Sequence, residues 1–186
     1  SSSSPAVGSS SSTSGAGASS TRASATRRRW PAETSLARSP TRVALVGSSL
    51  GGAVALLTAA RNPERVHAIA TIAAVADTAL FTKTLSADEI ESWRQTGRRR
   101  WREGYLNVGF LDDVQRIDIP LAVATLTQPL LGMHGEADTV VPPEHAGVLA
   151  AAAAGEVTLA MFPGVGHRFE EPGALDGLLA HLESWV

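Results

Sequence analysis

From Thr41 onward the chain alternates short aliphatic runs with longer stretches whose apolar residues recur every three or four positions. Val43 to Val46 is an aliphatic run ending at Gly47. Leu50, Ala53, Val54 and Leu57 then share one face of a helix that Asn62-Pro63 brings to a stop. Val66 to Ile72 reads as a second buried strand and Leu130 to Met133, introduced by Pro129, as a third. Pro142-Pro143 leads into an alanine-rich helix over Glu144 to Ala154, followed by a strand over Val157 to Phe162 and a last helix over Ala174 to Trp185. Strands separated by crossover helices predict an α/β domain, a mostly parallel sheet with helices on both faces.

Two regions break this rhythm. Residues 1 to about 40 are dominated by Ser, Ala, Gly, Thr and Arg and hold almost nothing aliphatic. Such a stretch buries too little apolar surface to offset its ordering entropy, so it reads as a disordered or low-complexity segment preceding a domain over 41–186. Its arginines and its lack of acids before Glu33 give it the composition of a transit peptide, and no apolar run marks a secretory signal. The interval from about 77 to 119 is rich in charge and carries Trp93, Trp101, Tyr105 and Phe110, with helical spacing around Ile90 and Trp93; it reads as a small helical insertion.

The chemistry is concentrated at three places. Gly47-Ser48-Ser49-Leu50-Gly51 is a G-x-S-x-G pentapeptide lying between a strand and a helix, where small neighbours let the two pass closely around a strained, exposed serine. Ser49 is the candidate nucleophile; a phosphate-binding turn at the helix N-terminus is the competing reading. A serine hydroxyl needs a base. Of five histidines, His67, His145 and His181 read as surface residues and His134 as part of a loop's architecture. His167 stands in the glycine-rich loop Gly164-Val165-Gly166-His167 after the last strand, where the backbone can turn its ring across the strand ends. An imidazole acting as base needs a carboxylate to fix its tautomer. Asp138, just beyond the third strand, is the candidate, with Glu136 its near rival and Asp77 a structural acid.

The order Ser49, Asp138, His167, each after a strand, resembles the α/β-hydrolases. Locally Val46 to Gly52, Met133 to Pro142 and Gly164 to Phe169 are similar to the small carboxylesterases and the serine-aminopeptidase-like hydrolases. The resemblance runs from about residue 42 to 186. It implies an acyl-enzyme mechanism in which Ser49 attacks, His167 shuttles the proton, Asp138 orients the imidazole and the Leu50 N–H donates to the oxyanion. Members of that superfamily carry further strands before the nucleophile, one of them followed by a His-Gly loop that gives the second oxyanion donor. Nothing before Gly47 here resembles it. The expectation is an incomplete α/β-hydrolase fold, slowed at the oxyanion and prone to self-association at the edge of its first strand.

Composition narrows the function class. A net charge of −2 and the absence of cysteine fit a cytoplasmic protein acting on small-molecule esters or related acyl compounds, with no disulfide framework and no thiolate chemistry. The arginines around Trp93 and Trp101 sit among glutamates and read as a solvated face, so no nucleic-acid partner is expected. No apolar run reaches membrane-spanning length, no membrane partner is expected, and neither a metal nor a cofactor is implied.

Overall fold

The computed structural model describes residues 43–101 and 103–185. The low-complexity segment over 1–40 and its likeness to a transit peptide lie outside the described residues.

Strand β1 (Val43–Ser48) leads through Ser49 into helix α1 (Leu50–Arg61) and on to β2 (Val66–Ile72). Helix α1 ends where Asn62 folds its amide back onto the Thr58 carbonyl at 2.8 Å, and Pro63 offers no N–H to continue it. The rest of the sheet-forming region is β5 (Leu130–Gly135), α5 (Glu144–Ala152), β6 (Val157–Phe162) and α6 (Ala174–Trp185), with the insertion lying between β2 and β5. The main sheet has the order β1-β2-β5-β6, all parallel.

Alternation along the strands separates two cores. Ile69, Leu130 and Val157 face one way, into a core closed by Leu56 of α1, Val123 of the short helix α4 (Ile119–Val123) and Leu149 of α5. Their neighbours Ala70, Leu131, Met133 and Ala160 face the other way, against Leu178 of α6 and Phe169. Strands β2 and β5 therefore have apolar residues on both faces, which is why they read as mostly apolar runs. Strand β1 differs. Among the described residues it pairs only with β2, and its Val46 is 54% exposed.

Strands β1 and β5 extend beyond their aliphatic runs through Gly47-Ser48 and His134-Gly135, which remain in register with Ile72 and Phe162 respectively.

The insertion corrects the all-helical expectation. It contains a 3-10 turn (Thr78–Phe81), α2 (Ala87–Thr96) and α3 (Gly109–Arg116), but also an antiparallel hairpin of β3 (Arg98–Trp101) and β4 (Gly104–Asn107). Ser86 and Glu89 form a reciprocal cap at the start of α2, and Gly97, at φ 72°, turns the chain from helix into strand. The hairpin shows no alternation of apolar and polar residues because arginine carries it: Arg98 lies over the Tyr105 ring at 4.8 Å and Arg99 pairs with Glu89 at 3.1 Å. Beneath it Trp93 stacks on Phe110, which meets Phe81 edge-on.

Candidate functional site

The site stands where β1, β5 and β6 end. Ser49 adopts φ 54°, ψ −124°, a conformation L-residues rarely take, and backbone bonds hold it there. Its N–H donates to the Ile72 carbonyl at 2.8 Å, and its carbonyl accepts from Gly52 at 3.0 Å and Val75 at 3.3 Å. The flanking glycines are required by proximity. A Cβ on Gly47 would collide with the Gly51 backbone, and one on Gly52 would lie 2.6 Å from the Cβ of Ala74. The serine does not cap α1, so its hydroxyl is free to point elsewhere.

It points to His167. The Nε2 of His167 lies 3.1 Å from Ser49 Oγ, and its Nδ1 lies 2.7 Å from Asp138 Oδ2. A carboxylate accepts hydrogen bonds and does not donate them, so Nδ1 carries the ring proton and, in the neutral imidazole, Nε2 has a free lone pair facing the serine hydroxyl. The loop bearing His167 is held by Glu171 Oε1, which accepts from the Gly166 N–H at 2.9 Å, and by buried Phe169 packing edge-on against Phe162.

Asp138 has no exposed side-chain surface. Its Oδ1 accepts from the N–H groups of Val140 at 2.8 Å and Val141 at 2.9 Å, so the turn beyond β5 grips the carboxylate through its own backbone. Buried His134 stands on the other side, its Nε2 3.3 Å from Oδ2. Glu136, the rival acid, is exposed. Asp77 caps the 3-10 turn through the Ala79 N–H at 2.9 Å and binds Lys83 at 2.6 Å; the Lys83 hydrogen bond holds its carboxyl below the ordinary value.

His67 and His181 are exposed, as expected. His145 differs from the surface residue its sequence position suggests. It is half-buried, with Nδ1 accepting the Ala76 N–H at 2.9 Å, and burial lowers its pKa, partly opposed by the nearby Asp77 charge. The sequence gives no signal for this contact, which joins residues 69 positions apart. His134 has a local signal, four residues before Asp138, but that spacing is ordinary in a strand-to-loop passage.

The N–H of Leu50, first in α1, has no acceptor among the described residues and lies next to Ser49, where a developing oxyanion could take it. An open cleft of about 650 Å³ adjoins the serine, lined by Ser48, Ile72, His167, Arg168, Phe169 and Leu178 among others. Among the described residues no three His, Asp or Glu side chains cluster as metal ligands, and no helix is long and apolar enough to cross a membrane.

Several solved structures share this architecture. α/β-Hydrolase domain-containing protein 10 from mouse superposes with a TM-score of 0.62 at 21% identity, over 82% of this chain and 64% of its own. The esterase domain of a Rhodothermus marinus protein gives 0.60 at 27% identity, over 76% and 59%. Est1E from Butyrivibrio proteoclasticus, with ferulic acid bound, gives 0.61 at 20%, over 77% and 61%. The chain thus spans about three-fifths of the length of these structures. No curated protein matches it significantly. The sheet, its crossovers and these likenesses establish the α/β-hydrolase fold, and with residues 28–186 matching the prolyl oligopeptidase family, the chain belongs to that family.

Proposed function

We propose that this chain is a serine hydrolase that cleaves carboxylic ester or related acyl bonds through an acyl-enzyme intermediate. The observation that carries the reading is the unbroken relay from Ser49 Oγ to His167 Nε2, at 3.1 Å, and from His167 Nδ1 to Asp138 Oδ2, at 2.7 Å. Ser49 Oγ attacks the carbonyl carbon as its proton passes to Nε2, and the Leu50 N–H donates to the resulting oxyanion. The imidazolium, stabilised by Asp138, then protonates the departing alkoxide. Water, deprotonated by the same imidazole, releases the acid and restores the Ser49 hydroxyl. The apolar walls of the cleft, Ile72, Phe169, Leu175 and Leu178, suit an aliphatic or aromatic group on the ester.

A second reading, a slow hydrolase or a binding module on the same fold, has one observation in its favour. Nothing before Gly47 resembles the loop that gives the α/β-hydrolases their second oxyanion donor, and a single missing donor costs about 2.7–4 kcal/mol of transition-state stabilisation. A fluorophosphonate probe separates the two, because phosphonylation needs an activated serine. Labelling of the wild-type chain that disappears in Ser49→Ala, with turnover of small aryl esters, is the expected outcome. Absence of labelling, or equal labelling of Ser49→Ala, refutes the hydrolase reading.

A further inference from the structure

The His134 ring is 1% exposed, and its Nε2 lies 2.9 Å from the Val141 carbonyl and 3.3 Å from Asp138 Oδ2. A carbonyl oxygen only accepts, so Nε2 carries a proton and donates it to Val141. The same N–H thus presents its positive end to the carboxylate oxygen that holds His167. Val141 in turn donates its own N–H to Asp138 Oδ1 at 2.9 Å. His134 therefore fastens the far end of the acid-bearing turn by its carbonyl, while that residue's amide fixes the carboxylate. The strand below is rigid: Met133 pairs with Ile72 and Ala160, and His134 with Met161. The ionisable groups around it are Asp138 on the turn, His167 beyond Oδ2, and His145 on α5, close enough to His134 for the two charges to repel.

We propose that His134 is a positioning residue for the Ser49–His167–Asp138 relay: its Nε2–H locks the Val141 carbonyl and sits beside Asp138 Oδ2, keeping the carboxylate in the one orientation that meets His167 Nδ1. This rests on the reading of that relay as the reactive set. His134 touches neither Ser49 nor substrate, so it acts only through Asp138.

The variants are His134→Leu, which removes the donor, and His134→Gln, whose side-chain amide nitrogen can reach the place of Nε2. Labelling by a fluorophosphonate is expected to slow by up to about a hundredfold in His134→Leu, because a misplaced catalytic group loses its alignment. His134→Gln is expected to restore most of that rate. In the ring 1H–15N NMR spectrum, the Nδ1–H resonance of His167 should shift in His134→Leu and return towards its original position in His134→Gln. That signal needs no turnover, so a chain that failed to label would refute the hydrolase reading while leaving the clamp testable. Wild-type behaviour of His134→Leu in the ring spectrum overturns the proposal. So does His134→Gln matching a damaged His134→Leu in rate and spectrum, because the ring would then act by packing alone.

Discussion

Asp138 has no exposed side-chain surface and four N–H groups ranged around its two oxygens, from Val140, Val141, His134 and His167. Ser49 stands at the other end of the relay, half-buried, beside a strand that has one partner among the described residues and a cleft of about 650 Å³. The two ends differ in where their support comes from. Everything that grips Asp138 lies between His134 and His167, on two adjacent strands and the turns that follow them. Among the described residues Ser49 is held by β2 and the loop after it, through the Ile72 carbonyl and the Val75 N–H, and by the Gly52 N–H of its own helix. The acid end is thus a self-sufficient local structure, whereas the nucleophile end relies on backbone strain and on one neighbouring strand.

The sharpest test of this contrast is chemical. His167→Ala should reduce turnover by about a millionfold, as loss of a base does where nucleophile and base act as a unit, with little change in melting temperature. Asp138→Asn should cost about ten-thousandfold. The Val140 and Val141 N–H groups will keep the amide oxygen at Oδ1, so the amide NH2 falls at Oδ2 and faces the N–H of His134 and Nδ1 of His167. That arrangement moves the His167 proton to Nε2, where it can no longer accept from Ser49. Single-turnover acylation of the two variants would check the order, and equal loss in both would mean that Asp138 does more than orient the ring.

Next in size is a structural change at the acid end. A Cβ on Gly135 would strike the Val165 carbonyl, backbone that no rotamer change can move aside. Gly135→Ala should destabilise by about 3 kcal/mol, measured by urea denaturation, and slow acylation as well, because the strand leading to Asp138 must shift away from the loop carrying His167. An unchanged acylation rate would show that the two can separate without cost.

At the nucleophile end, Val43 and Val46 are exposed beside the outer edge of β1. Self-association there is expected, and Val46→Lys should weaken it severalfold in light scattering, since a charge beside a strand edge that has no partner among the described residues opposes pairing. A monomer across all concentrations would remove the idea. The smallest effect concerns His145, whose pKa burial lowers. The unfolded chain then binds more protons than the folded one below about pH 6.5, so stability is present above that pH and declines as the pH falls towards the lowered value. His145→Asn, which retains an acceptor for the Ala76 N–H, should flatten that decline in melting temperatures taken between pH 5 and 8.

The same asymmetry decided what was legible in the sequence. The strands over Val66 to Ile72 and Val157 to Phe162 and the last helix have the bounds their apolar pattern suggests, because burial against a sheet or helix imposes a period that residues cannot hide. The relay was readable as three short motifs, and the structure brings Ser49, Asp138 and His167 within hydrogen-bonding distance. The β3–β4 hairpin was not readable, since its strands are held by arginine stacking and pairing rather than by apolar alternation. Nor were the contacts of His134 and His145, which depend on partners set by the fold.

The conformation of Ser49 has a consequence for anyone who tries to improve this protein. With φ at 54°, glycine would sit there more comfortably than serine, and Ser49→Gly should raise the melting temperature. A directed search for thermal tolerance that screened only for folded, soluble chains would therefore tend to erase the residue on which the proposed chemistry depends. Selection for turnover has to run in parallel, because at this position durability and reactivity pull the sequence in opposite directions.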